Sequence, residues 1–248
     1  MDRGDCRVLT VGGRDHATGY SERVLRLLIE RKGPARAALY LPFKQTRGLH
    51  FLGPLVGWLR QAGRRGLRVL EVGCSFGHMT EVLAETPEVA AIHAFDTDPA
   101  FVDITRAKVA ELGLARVSEV LALTGEQTCR LPWTDGRFDL VLAVGVVEHL
   151  PLRHRRRQVD EYYRVLAPGG HLAVLDTPNR WFPVETHSVG LPLVQWLPPR
   201  LAWRYARLAG RAGSAAWASR SSPPTARAGA TPLSPSACRG PAPRRWTT

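Results

Sequence analysis

Apolar residues run along this chain in two alternating rhythms. Four short runs are apolar enough for strands covered on both faces: residues 67–72 (LRVLEV), 90–95 (AAIHAF), 138–147 (FDLVLAVGVV) and 171–176 (HLAVLD). A weaker run at 117–123 (VSEVLAL) fits between the second and third. Between the runs, apolar positions recur at helical spacing. Met79, Val82 and Leu83 share a face before Pro87, and Phe101, Ile104, Val109 and Leu112 share one before Gly113. Val159, Tyr162, Tyr163 and Leu166 follow the same rule before Pro168-Gly169-Gly170 turns the chain into the last strand. The repeated alternation predicts the α/β class: a doubly wound, Rossmann-like, mostly parallel sheet that binds ligands beyond the carboxyl ends of its strands.

The flanks read differently. Residues 1–66 carry helical stripes at Val24, Leu27, Leu28 and at Leu52, Leu55, Val56, Leu59, broken by Gly33-Pro34 and Pro42. They are expected to form a helical N-terminal extension to a domain spanning 67–209. Residues 210–248 turn to Ala, Pro, Ser, Arg and Gly with almost no branched aliphatics, a composition that buries too little area to offset ordering entropy. This tail is expected to be disordered, and its composition is that of a GC-rich reading frame read out of phase, so a frameshifted or truncated end is the expectation here.

Charge changes the picture less than its total suggests. The net charge is +12, but from residue 200 onward there are nine arginines and no acid, which leaves +3 for residues 1–199. A basic binding face belongs to a folded module rather than to such a segment, so nucleic acid is an unlikely partner. No run approaches the roughly 18–20 apolar residues of a membrane span, and the first residues lack the apolar stretch of a signal peptide. The four cysteines show no C-x-x-C spacing, which gives no zinc site or disulfide framework, and a cytoplasmic location follows as the expectation.

The candidate chemistry lies where the first strand ends. In VLEVGCSFGHMTEVLAE a strand passes through a glycine turn into a helix, so Gly73 allows close backbone approach, Gly77 eases helix entry, and the helix N-terminus offers amides to a carboxylate. Glu71 can accept from an ammonium group. Asp96, 23 residues beyond Gly73 at the end of the second strand, can accept both hydroxyls of a ribose. The dinucleotide alternative requires G-x-G-x-x-G, whereas this chain has E-x-G-x-x-x-G with Ser75 in the middle. A ligand with an amino-acid end and a ribose fits better, and S-adenosylmethionine has both.

The ordered motifs VLEVGCSFGHMTEVL, FDTDP, LPWTDGRFDLVLAVGVVEHL and YRVLAPGGHLAVLDTPNR, over about residues 67–180, resemble the class I S-adenosylmethionine-dependent methyltransferases of the small-molecule type, akin to those of quinone and natural-product biosynthesis. The resemblance implies methyl transfer from S-adenosylmethionine to a small-molecule acceptor, with no metal required. It places Glu71 and Gly73 near the methionine part, Asp96 at the ribose, Thr97 beside the adenine, and Glu126 or Gln127 near the adenine amino group, with Cys74 and Gly77 also expected among the cofactor-binding residues. Val144 and Gly145 would border the sulfonium. Two features depart from the family: it usually has glycine where Ser75 stands, and GEQTCRLPW is one residue longer than the usual acidic-x-x-x-Leu-Pro spacing.

On the acceptor side, a displacement at a methyl group needs alignment and, for an alcohol or phenol, removal of a proton. Glu148 and His149 after the fourth strand, and Glu185 and His187 after the fifth, are the candidates, with His149 favoured because VVEHL lies in the matched motif. His149 could equally be a loop histidine that shapes the pocket. Arg153 and Arg155 to Arg157 read as a solvated loop or an anion lure, and Trp181, Phe182, Trp196, Trp203 and Tyr205 as core, acceptor cap or membrane contact. The family fold continues after the fifth strand with a helix and an antiparallel strand pair. Residues 201–208 supply the helix, and no convincing strands follow. A non-catalytic or degenerate cofactor-binding protein is therefore the second reading. The acceptor and the oligomeric state are not readable from the sequence.

Overall fold

A computed structural model describes residues 7–177, 184 and 190–211. Glu185, His187, Trp181, Phe182 and the tail from residue 212 lie outside the described residues. Of those described, one compact unit takes in the residues up to Val147 together with Arg153–Asp176, and a second takes in Glu148–Leu152 and those from Thr177 onward.

The first unit holds a five-stranded parallel sheet made of β3 (Leu67–Val72), β4 (Val89–Asp96), β5 (Val117–Ala122), β6 (Phe138–Val144) and β7 (Leu166–Leu175). Their order is β5-β4-β3-β6-β7. The chain enters at the centre, builds outward through β4 and β5, then crosses to β6 and β7 on the other side. Strand order thus reverses between β3 and β6, which makes their carboxyl ends the crevice of the sheet. β3, β4 and β6 read as near-continuous apolar runs because helices cover both faces. On one face α3 (Leu49–Gln61) and α4 (His78–Glu85) pack Leu52, Leu59, Met79, Val82 and Leu83 onto Val69, Ile92, Leu140 and Leu142. On the other, Val102 of α5 (Pro99–Glu111) meets Cys74, Ala94 and Val120.

The N-terminal extension corrects the purely helical expectation. It opens with a β-hairpin, β1 (Arg7–Val11) and β2 (Arg14–Thr18), paired antiparallel. Gly12 and Gly13 take φ of 58° and 75°, the double left-handed turn whose twist matches a two-residue hairpin. The helices follow as expected. In α1 (Glu22–Lys32) the Ser21 hydroxyl caps the Val24 amide at 3.2 Å, and Gly33 ends the helix so that Pro34 can start α2 (Pro34–Tyr40). Val24, Leu25, Leu28, Ala37 and Ala38 then bury against Ile104 and Ala107 of α5 and against Phe76. A π-helical turn, Lys44–Gly48, leads into α3.

Helix α6 (Leu152–Val165) shows a second difference. It buries Gln158, Glu161, Tyr162 and Val165, while Tyr163 is exposed. Polar partners explain the rotated face: Gln158 donates to the Thr128 hydroxyl, and Glu161 accepts from the Leu131 amide at 2.8 Å and from Arg164. Arg153 and Arg155 to Arg157, expected in a loop, lie in the opening turns of this helix. β7 starts earlier than expected because Pro168-Gly169-Gly170 forms a register irregularity inside the strand instead of a turn before it.

The second unit, by itself, packs Val194, Ala202 and Ala206 with Leu191, Leu197 and Tyr205, joining a short 3-10 turn to α7 (Pro199–Leu208). Trp196 and Trp203 are partly exposed there. Among the described residues, no helix is long and apolar enough to cross a membrane.

Candidate functional site

The segment after β3 is folded by three left-handed residues. Gly73 (φ 71°) lets its own amide and that of Cys74 donate to the Phe95 carbonyl at 2.8 and 3.0 Å, stitching the ends of β3 and β4 together. A Cβ at Gly73 would stand 2.7 Å from Val146 Cγ2, so space as well as torsion demands glycine. Ser75 (φ 50°) donates its amide to Asp96 Oδ2 at 2.8 Å, and its carbonyl accepts from Thr105 Oγ1 at 2.8 Å. Those two bonds hold a serine in a conformation that favours glycine, which is why glycine is the usual residue there. Gly77 (φ 77°) donates to the Cys74 carbonyl at 2.9 Å and delivers the chain into α4, whose N-terminus has no side-chain cap. The first-turn amides of that helix are left for a ligand, and an anion is the natural one.

Two acids flank this turn. Glu71 is buried and accepts from Thr80 Oγ1 at 2.6 Å. Burial pushes its carboxyl up to about 8; the Thr80 bond and Lys108 oppose the shift, while the neighbouring Asp96 charge adds to it. A cation beside Glu71 would ionise it. Asp96 is raised by burial, against the pull of backbone amides. Its Oδ2 takes the Ser75 amide and its Oδ1 takes the Asp98 amide at 2.9 Å, which leaves lone pairs on both oxygens for a pair of hydroxyls. Open amides for a carboxylate, a buried carboxyl for an ammonium and a half-buried carboxylate for a diol suit the two ends of S-adenosylmethionine.

The other expected cofactor residues separate into engaged and exposed. Cys74 is buried, its thiol pushed well up by burial, and it packs with Ala94, Val102 and Val120. Thr97 is exposed just past β4. Gln127 caps its own turn: its Oε1 accepts from the Thr124 amide at 2.8 Å, while its amide donates to Thr124 Oγ1 at 3.2 Å. Glu126 next to it is exposed, as is Gln127. Val144 ends β6 and Gly145 follows it, its amide donating to the Leu175 carbonyl at 2.9 Å.

Glu148 and His149 sit on a 3-10 turn, Val147–His149, and both belong to the second unit. Glu148 is buried; the Thr177 hydroxyl lies 3.5 Å from its Oε2, at the limit of a hydrogen bond, and His149 Nε2 stands 3.8 Å from its Oε1. His149 is half-exposed. His187 is outside the described residues.

Sequence reasoning passed over four residues of the first unit. His78, the first residue of α4, stacks on Phe76 at 4.7 Å, and its Nδ1 is buried without a hydrogen-bond partner. Burial, then the charges of Lys108 and Arg47, lower its pKa to about 3, so the ring is neutral. Arg47 pairs with Asp176 at the end of β7, where Asp176 holds φ 53°. Lys108 is fully buried behind the turn. Only His78 carried a signal, its place directly after Gly77; Arg47, Lys108 and Asp176 are brought in by tertiary packing.

Residues 70–174 match the family described as a methyltransferase domain. The chain is 31% identical over 139 residues to the ubiquinone biosynthesis O-methyltransferase of Pseudomonas aeruginosa, covering 55% of this chain and 56% of that protein. It is 28% identical over 144 residues to a Bos taurus protein named probable tRNA methyltransferase 9B, covering 56% and 28%. The chain therefore spans about half, or less, of the curated relatives it matches. Among solved structures, a SAM dependent methyltransferase from Aquifex aeolicus aligns over 73% of this chain and 87% of its own, at 21% identity and a TM-score of 0.46.

Proposed function

We propose that this chain, whose residues 70–174 match a methyltransferase domain, is an S-adenosylmethionine-dependent methyltransferase that transfers a methyl group to a small-molecule acceptor. The observation that carries the proposal is the meeting of Glu71, the open N-terminus of α4 and Asp96 at the carboxyl ends of β3 and β4. Glu71 and the α4 amides take the amino-acid end, and Asp96 takes the ribose. Thr97 and Glu126 border the adenine, with Gln127 buttressing that turn, and Val144 and Gly145 line the methyl-bearing end. When bound, the cofactor supplies an electrophilic methyl group on a sulfonium. The protein's part is alignment of the acceptor and disposal of its proton. We assign the proton to His149, with Glu148 orienting the ring.

The likeness to a quinone-pathway O-methyltransferase supports a small acceptor with a hydroxyl group, and the charge balance of +3 over residues 1–199 favours it over a nucleic acid. Scattered cysteines, with Cys74 and Cys129 free, support a cytoplasmic location. Titration calorimetry with S-adenosylhomocysteine tests the reading. Binding is expected, and Asp96→Ala is expected to weaken it by about 1–3 kcal/mol through loss of the diol contacts. No heat with the unaltered protein would overturn the assignment.

A further inference from the structure

Lys108 is a charged side chain with 1% exposure, placed where the cofactor turn meets the N-terminal extension. Burying an ammonium group is expensive unless its donors are all met. Here they are: Nζ pairs with the buried Glu81 of α4, donates to Tyr20 Oη at 3.1 Å, and donates to the Phe76 carbonyl at 3.0 Å. The ammonium also stands 4.2 Å from the Tyr20 ring and 4.9 Å from the Phe76 ring. Tyr20 closes the circuit by donating to Glu81 Oε1 at 2.9 Å. Burial lowers the Lys108 pKa, and Glu81 opposes that shift.

Phe76 sits inside the cofactor turn, and its peptide bond to Gly77 is pinned at both ends. The carbonyl is held by Lys108, and the amide on the other side is held by the Cys74 carbonyl at 2.9 Å. A peptide unit is planar, so two bonds fix its orientation, and Gly77, at φ 77° and ψ 22°, passes that orientation to the first amides of α4. The Phe76 ring, meanwhile, is buried in the cluster formed by Leu9, Tyr20, Leu25, Ala37 and Leu41 of the extension.

We infer that Lys108, clamped by Tyr20 and Glu81, is a positioning residue for the cofactor, and that the N-terminal extension is thereby part of the cofactor site. It touches no ligand; it aims the α4 amides at the cofactor's carboxylate. The inference rests on the cofactor reading above, and the two fail differently: absence of binding by the unaltered protein removes the reading, whereas the inference is judged on variants alone.

The experiment is titration of the full chain with S-adenosylhomocysteine, with folding checked by circular dichroism at the same temperature. Lys108→Met is expected to raise Kd at least tenfold, and Tyr20→Phe, which removes one oxygen, about three- to tenfold. In the double variant Tyr20→Phe is expected to add nothing, since the clamp is already gone. Leu59→Ala, a cavity in the α3 core that loosens the fold without touching the clamp, is expected to leave Kd within twofold. A folded Lys108→Met or Tyr20→Phe protein with an unchanged Kd would overturn the inference, as would equal weakening by Leu59→Ala or effects that multiply in the double variant. Should Lys108→Met not fold, Tyr20→Phe decides the matter.

Discussion

The carboxyl ends of β3 and β4 and those of β6 and β7 are built by different means. At β3 and β4 the backbone does the work, with left-handed torsions at Gly73, Ser75 and Gly77 and amides tied to Phe95, Asp96 and Cys74. At β6 and β7 each strand is followed by a single left-handed residue, Gly145 (φ 64°) and Asp176 (φ 53°), and the backbone bond from the Gly145 amide to the Leu175 carbonyl is joined by an ion pair that brings Arg47 from the distant extension to Asp176. Arg47 is packed over Phe43 and Phe51, at 5.3 and 5.6 Å from the ring centres. A run of three left-handed torsions admits few residues, whereas the Arg47 half of a side-chain bridge can be replaced without disturbing the turn it reaches. Such a division lets a cofactor end stay fixed while the opposite end changes.

The contrast can be broken most forcefully at Gly73. Gly73→Ala puts a Cβ 2.7 Å from Val146 in a conformation L-residues avoid, and should cost about 2–5 kcal/mol of stability, read by urea denaturation, and abolish S-adenosylhomocysteine binding. An alanine variant of native stability would mean that torsion does not govern this end.

A few kcal/mol at most is expected from Glu71. Its pKa is raised in the fold to about 8 from an ordinary 4.5, so between those values the folded chain binds more protons than the unfolded one. Stability due to this group is therefore full below pH 4.5 and declines as pH rises toward 8. Denaturation at a series of pH values should show that decline, and Glu71→Gln should flatten it; equal slopes in the two proteins would contradict the buried acid.

The smallest effect is expected at the other end. Arg47 and Asp176 are 39% and 22% exposed, so Arg47→Met should lower stability by no more than about 1 kcal/mol while S-adenosylhomocysteine affinity stays the same. A large loss of affinity would show that the two ends are not independent and would sharpen where they join.

Much of this arrangement was legible in the sequence, because it is local. The E-x-G-x-x-x-G turn, the acid at the end of the next strand and the alternation of strand and helix each declare themselves within a few tens of residues. The hairpin at the N-terminus was also locally signalled, by Gly12-Gly13, but its strands are short and carry little apolar alternation. Helix α6 shows why the rest was hidden. Its buried face includes Gln158 and Glu161, polar residues admitted to the interior only because Thr128, Leu131 and Arg164 satisfy them. Apolar periodicity cannot register a polar residue whose partner lies some 30 positions away. The same holds for Lys108, which reads as a solvent-facing charge on α5 until Tyr20 and Glu81 are folded against it.

The π-helical turn at Lys44–Gly48 acts as a clutch between two lengths of helix. Within five residues it sends Lys44 to Glu85 and Gly48 against Val82, both on α4, and Arg47 to Asp176 just past β7. A turn of this kind carries one residue more than an α-turn, and one residue is about 100° of helical rotation. Removing a single residue there would let the turn relax to α geometry with the segments on either side still nearly in phase, because the wider turn absorbs its extra residue locally. The extra residue is thus what lets neighbouring side chains reach α4 and the end of β7 at once, and a single codon lost there would cost those grips without turning the chain around them.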